Sequence, residues 1–138
     1  MLYAYEVKEQ DGKYVGYVYD IDMTTKPLNS ADEVDEALMQ AFSGYIEIVY
    51  RRKRKPIPLP LTNTDDKYAL YIPIKLQLKI HLWNTMLEKH INQTELAQML
   101  GVSRMAVNQM VGEGKNTSVE RYENTLKLLE KYPCISIN

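Results

Sequence analysis

The sequence predicts an α+β fold: an N-terminal antiparallel sheet with one helix, in the order ββ(β)αβ, followed by an all-α helix-turn-helix domain with a short C-terminal strand. Three observations predict it. Segments rich in tyrosine and valine flank an Asp-Gly pair near the start, as the strands of a hairpin do. Apolar residues then recur at helical spacing from Val34 onward. From residue 73 the pattern is helical and broken into short pieces, with a glycine where two helices must turn sharply.

Leu2 to Val7 and Tyr14 to Tyr19 are the first two strands, with Asp11-Gly12 as the tight turn between them. Along the second strand Val15, Tyr17 and Tyr19 share one face, and Tyr14, Gly16 and Val18 share the other. A third extended segment follows Asp22 and ends near Pro27. Ser30-Ala31-Asp32-Glu33 has the form of a capping box, opening a helix that carries Val34, Leu38, Phe42, Tyr45 and Val49 on one stripe. That helix is expected to run from about 31 into the basic run, until Pro56 forces its neighbour out of the helical region. Gly44 at mid-helix is costly, so a close packing contact is expected there. Pro56-Ile-Pro-Leu-Pro is an extended connector, and Lys67 to Ile72 is a fourth strand.

Pro73 opens a helix that reaches about Lys89, with Leu76, Ile80, Trp83 and Leu87 as its stripe. Two short helices follow, around Thr94–Leu100 and Arg104–Val111. Thr117 and Glu120 form a second capping box, for a last helix through Tyr132. Cys134-Ile-Ser-Ile-Asn reads as a strand that must pair with something. The organisation is therefore residues 1–72, with a connector at about 56–66, and residues 73–138.

The central motif is Thr94 to Met110. Ala97 is small enough for two helices to cross closely, and Gly101, four positions later, tolerates the positive φ of the turn. Leu96, Leu100, Val102, Val107 and Met110 supply a continuous apolar underside. Ser103 caps the second helix and can donate to a phosphate. Arg104, Met105, Asn108 and Gln109 are left on its exposed face. Arginine can pair bidentately with guanine, asparagine and glutamine with adenine, and methionine can cover a thymine methyl. Gln93 and Thr94, at the start of the first helix, and Lys115, Asn116 and Thr117, in the following loop, are phosphate candidates. No acid stands between residues 96 and 112, which suits a polyanion.

Charge divides the chain. Residues 1–50 hold three lysines against ten acids, net −7; Arg51-Arg52-Lys53-Arg54-Lys55 follow; residues 73–138 hold eight basic and six acidic side chains, net +2. Such a division points to different partners for the two halves. Cys134 is the only cysteine, the N-terminus lacks a signal peptide's pattern, and no apolar run approaches membrane-span length, so a cytoplasmic location is expected. Asp20 and Asp22 lack a third acid at metal-site spacing, and His81 and His90 lack i, i+4 spacing. There is no glycine-rich phosphate loop, no G-x-S-x-G and no Cys/His pairing, so neither enzyme chemistry nor a cofactor or metal is expected. One recognition helix reads only roughly three or four base pairs, and halves of about 70 residues bury little surface alone, so a homodimer or tetramer is expected.

Taken together, Asp11-Gly12-Lys13-Tyr14-Val15, Asp20-Ile21-Asp22, the segment Ser30 to Leu38, Pro58-Leu59-Pro60 and the C-terminal helix-turn-helix resemble the HicB antitoxins, over essentially the whole chain. The resemblance implies a partial ribonuclease-H-like N-terminal domain without an active site, which binds and blocks HicA, a small basic toxin that cleaves mRNA. It also implies a C-terminal domain that binds and represses the operon's own promoter. On this basis the acidic residues Asp20, Asp22, Asp32, Glu33, Asp35 and Glu36 are the candidates for toxin binding. Many members carry a Pro-Gly-Cys turn after the second strand, where this chain has Met23-Thr24-Thr25-Lys26-Pro27. The basic run 51–55 does not suit a surface facing a basic toxin; DNA is the other partner on offer. The alternative is a stand-alone or phage transcriptional regulator whose N-terminal domain only oligomerises or senses a ligand.

Overall fold

A computed structural model describes residues 1–137. Strands β1 (Leu2–Gln10) and β2 (Lys13–Val18) pair antiparallel from Tyr5↔Val18 to Gln10↔Lys13. Asp11 and Gly12 remain as a two-residue loop with φ of 52° and 77°, the turn geometry whose twist matches that of the strands. The third segment is a short strand, β3 (Met23–Thr24), beside β2, extended by a bridge between Tyr14 and Leu28. Strand β4 (Tyr68–Tyr71) pairs antiparallel with the other side of β1, giving the order β3-β2-β1-β4.

Helix α1 (Val34–Ile46) lies across one face of this sheet. Its buried positions Val34, Leu38, Phe42 and Ile46 fall four apart, one per turn. They meet a core that includes Tyr3, Tyr5, Val18 and Leu70, and the Tyr3 and Phe42 rings lie 5.7 Å apart. The glycine that permits this approach is Gly16, where an added Cβ would lie 2.4 Å from Val34 Cγ1; at Gly44, where a close contact was expected, a Cβ would meet nothing within 4 Å. Only the serine half of the first capping box forms. Ser30 Oγ accepts from the Asp32 N–H at 3.2 Å and opens a 3₁₀ turn, Ala31–Glu33, ahead of α1.

Beyond Ile46 the helix widens into a π-helical turn, Glu47–Arg51, and the chain leaves it at Arg52, short of Pro56. Glu47 is turned inward and buried. The Arg51 guanidinium donates to both its carboxylate oxygens, and Arg52 Nε lies 3.5 Å from one of them. A buried carboxylate demands such partners.

Helices α2 (Ile74–Glu88), α3 (Gln93–Leu100), α4 (Arg104–Val111) and α5 (Val119–Leu128) follow. Three sequence expectations shift here. The cap of α5 is Ser118, whose Oγ accepts from the Arg121 N–H at 3.1 Å, so the expected Thr117 box is displaced by one residue. The helix ends at Leu128 rather than Tyr132, because Glu130 adopts a left-handed φ of 64° and Lys131 N–H returns to the Leu126 carbonyl. Residues 131–137 form no strand, and Asn138, the last residue of the expected strand, lies outside the described residues. Among the described residues no helix is long and apolar enough to cross a membrane.

Residues 55–61 take neither helix nor strand, and side chains fasten them to the rest of the molecule. Asn84 of α2 donates to the Ile57 carbonyl at 2.9 Å and accepts from the Ile57 N–H at 2.8 Å, as a neighbouring strand would. The Trp83 indole donates to the Lys55 carbonyl at 2.9 Å, and the Tyr3 hydroxyl donates to the Pro58 carbonyl at 2.6 Å.

Candidate nucleic-acid interface

The interface candidate is built on α3, α4 and the turn between them. Asn92 caps α3 with a complete capping box: its Oδ1 accepts from the Glu95 N–H at 2.8 Å, and its own N–H donates to Glu95 Oε1 at 3.2 Å. At the other end Gly101 has φ 67° and ψ 34°. Its N–H donates to the Gln98 carbonyl, and the Val102 N–H donates to the Ala97 carbonyl at 3.0 Å. This paired closure requires a left-handed residue after the helix. Ser103 then caps α4 by accepting from the Ala106 N–H at 3.1 Å. Leu96, Ala97, Val107 and Met110 are buried, and Leu100 and Val102 are packed against them.

What the packing leaves outward is the set the sequence singled out. Ser103, Arg104, Met105, Asn108 and Gln109 are exposed, Met105 to 72%. Positions 104, 105, 108 and 109 form one face of α4. Thr94 is exposed and Gln93 half-buried at the start of α3. In the loop after α4, Lys115 and Asn116 are exposed, but Thr117 is 8% exposed. Its hydroxyl faces Tyr122, whose own hydroxyl donates to the Met110 carbonyl at 2.6 Å; burial pushes the Tyr122 phenol up to about 12. Thr117 therefore supports the loop from beneath and is not available to a phosphate on the surface.

Sequence reasoning missed two residues that shape this site. Asn92 carried a legible signal, the Asn-x-x-Glu pattern of a capping box. Lys79 carried none. It lies on α2, and its ammonium donates to the carbonyls of Gly112 and Gly114, the latter at 2.8 Å, holding the α4–α5 loop in place.

The acidic candidates divide. Asp32, Glu33, Asp35 and Glu36 are exposed around the start of α1, with Asp35 accepting from the Tyr5 hydroxyl at 3.0 Å. Asp20 is half-buried and committed to hydrogen bonds within the chain. Its carboxylate accepts from the Leu61 N–H at 2.9 Å and from the Thr62 N–H and hydroxyl at 3.0 Å each. Burial alone would raise its pKa, but these three donors hold it below the ordinary carboxylate range. Asp22 accepts from the Tyr17 hydroxyl at 2.6 Å, and the loop between the two aspartates is held by the Tyr45 and Tyr50 hydroxyls on the Ile21 carbonyl.

No protein-family model matches the chain. Individual relatives do. Antitoxin HicB of Pseudomonas fluorescens is 27% identical over an alignment of 142 positions, spanning 98% of this chain and 92% of that protein. Antitoxin HicB 2 of Photorhabdus laumondii is 30% identical over 70% of this chain and 65% of its own length. Antitoxin HicB of Escherichia coli K12 is 27% identical over 70% of this chain and 66% of its own length. Relatives named Antitoxin HicB, one of them matched over 98% of this chain, support a HicB-family antitoxin. The acidic surface at the start of α1 and the outward face of α4 are carried on separate elements.

Proposed function

We propose that this chain neutralises a HicA-type, mRNA-cleaving toxin through its N-terminal half and represses its own operon through its C-terminal half. The observation that carries the second part is the outward face of α4. Arg104, Met105, Asn108 and Gln109 project from a capped helix with no acid among them, presenting hydrogen-bonding groups matched to base edges in a major groove. Gln93 and Thr94 on one flank, and Lys115 and Asn116 on the other, would meet phosphates. For the first part, the exposed carboxylates Asp32, Glu33, Asp35 and Glu36 suit a basic partner. The chain acts in the cytoplasm as a homodimer or tetramer. Self-association is supported by the free edge of β4 and by the apolar side chains of Tyr71, Ile135 and Ile137, 54%, 72% and 89% exposed, along a cavity of about 770 Å³.

Two experiments test this. Co-expression with a small basic toxin encoded next to this chain's gene should give a complex and relieve toxicity; the lack of any such neighbouring reading frame, or growth arrest unrelieved by this chain with no complex, would leave the stand-alone regulator. Arg104→Ala should cost roughly 1–3 kcal/mol on the promoter duplex and less on random duplex. Arg104→Lys should not restore the loss, since lysine lacks the planar fork. Equal losses on both duplexes would reassign Arg104 to a phosphate. Lys115→Ala should weaken both duplexes alike and lower the salt slope by about one.

A further inference from the structure

The run Arg51–Lys55 is spent only in part on the fold. Arg51 is the inward partner of Glu47, with Arg52 beside it. Lys53, Arg54 and Lys55 are exposed, and among the described residues none of the three forms a salt bridge. They are nonetheless held in place. The Arg54 N–H donates to the Arg51 carbonyl, the Lys55 N–H to the Tyr50 carbonyl at 2.9 Å, and the Lys55 carbonyl accepts from Trp83. Arg54 itself sits at φ 54°, a left-handed conformation fixed by these contacts.

The position of the run is the second observation. Arg51 packs against the end of α4: a Cβ added to Gly112 would lie 3.4 Å from Arg51 Nη2. Lys79 of α2 reaches the same place, its ammonium donating to the carbonyls of Gly112 and Gly114. Lys75 Nζ approaches the Lys115 carbonyl at 3.5 Å. Cations from the end of the π-helical turn, from α2 and from the loop thus gather beside the C-terminal end of α4. The acids near them are Glu47, which Arg51 neutralises, and Glu113.

We propose that Lys53, Arg54 and Lys55 form a phosphate-contacting shoulder that extends the DNA interface of α4 into the N-terminal half of the chain. This rests on the DNA reading of α4 above and adds a sequence-independent contact to it. A rigid cationic shoulder beside a recognition helix would contact the duplex backbone where it flanks the groove that α4 enters. Counterion release makes such contacts strong at low salt and indifferent to sequence.

The test uses the full chain with Lys53→Gln, Arg54→Asn and Lys55→Gln together. Asparagine tolerates the left-handed backbone at position 54, and the Glu47 pair is untouched. Binding is measured from 50 to 300 mM salt on the duplex upstream of the chain's own gene and on a random duplex of equal length. Each lost phosphate contact should lower the salt slope by about 0.9 and the affinity near 0.1 M salt by roughly tenfold. The expected result is a slope lower by about 2–3 on both duplexes, with an unchanged ratio between them and an unchanged thermal midpoint. Lys53→Arg with Lys55→Arg should keep the slope. An unchanged slope in the triple variant overturns the shoulder, as does a loss confined to the promoter duplex. If the wild-type chain binds neither duplex, the DNA reading itself fails. A slope lost on single-stranded RNA alone would assign the run to RNA and overturn the proposal.

Discussion

The two halves of the molecule are held together differently. In the C-terminal half the helix caps and the turn close locally: Asn92 to Glu95, Gly101 to Gln98, Ser103 to Ala106 and Ser118 to Arg121 each close over three residues, while the end of α4 and the α4–α5 loop rely on more remote partners, Tyr122 and Lys79. In the N-terminal half the fastenings are remote. Tyr3 reaches Pro58 across 55 residues, Asp20 reaches Thr62 across 42, and Tyr45 reaches Ile21 across 24. A helix-turn-helix must fix one crossing angle, and caps suffice for that. A small sheet with a long connector has backbone that no ladder satisfies, and side chains must supply the missing partners. Substitutions in the first region should therefore act through local backbone geometry, and those in the second through buried groups left unpaired.

The largest effect is expected where the two halves meet. Asn84→Ala removes both partners of the Ile57 backbone, and Ile57 is 4% exposed. At about 1–3 kcal/mol for each orphaned buried group, urea unfolding should show a loss of roughly 2–4 kcal/mol. A loss under about 1 kcal/mol would mean that water replaces Asn84, and the connector would be less dependent on remote fastenings than the contrast holds. Next comes Gly16→Ala, whose new methyl would collide with Val34 Cγ1. Overpacking of this kind costs about 1–3 kcal/mol, while Gly44→Ala, in open space on a helix, should stabilise by up to about 1 kcal/mol.

That pair of glycines also shows what the sequence could reveal. Mid-helix position drew attention to Gly44, yet the contact belongs to Gly16, because a strand glycine under a crossing helix is recognisable only once the crossing is known. The α3–turn–α4 unit was legible almost to the residue, since Gly101, Ser103 and the apolar spacing act within a few positions of themselves. The hairpin was legible for the same reason: Asp11-Gly12 encodes its own turn. The π-helical turn at Glu47–Arg51 was not, because it is set by a buried carboxylate and its guanidinium partner. Thr117 failed as a surface residue because Thr and Ser adjoin at 117–118, and only packing against Tyr122 decides which of them faces inward.

A smaller effect should come from the turn. At Gly101 a Cβ meets nothing within 4 Å, so the cost expected of Gly101→Val is that of a β-branched residue held at φ 67°, not of a clash at Cβ. A single left-handed β-branched residue costs roughly 1–3 kcal/mol, whereas Gly101→Asn should cost clearly less. Promoter binding should fall with the valine variant and largely survive with asparagine. Equal losses for both would place a contact, and not a backbone conformation, at this position.

The smallest effect, and the one that isolates a remote fastening by its charge, concerns Asp20. Its folded pKa lies below the ordinary aspartate value of about 3.9 because three donors converge on the carboxylate. A carboxyl group whose pKa is depressed by folding stabilises the protein above the unfolded pKa, and this stabilisation is lost as pH falls through the folded value. Asp20→Asn keeps one acceptor and removes the charge. The variant should be modestly less stable than wild type at neutral pH, and the difference should shrink as pH drops below about 4. Urea midpoints from pH 7 to 3 measure this directly. A difference that stayed constant across the range would mean that geometry alone, and not the ionised carboxylate, holds Leu61 and Thr62 against the sheet.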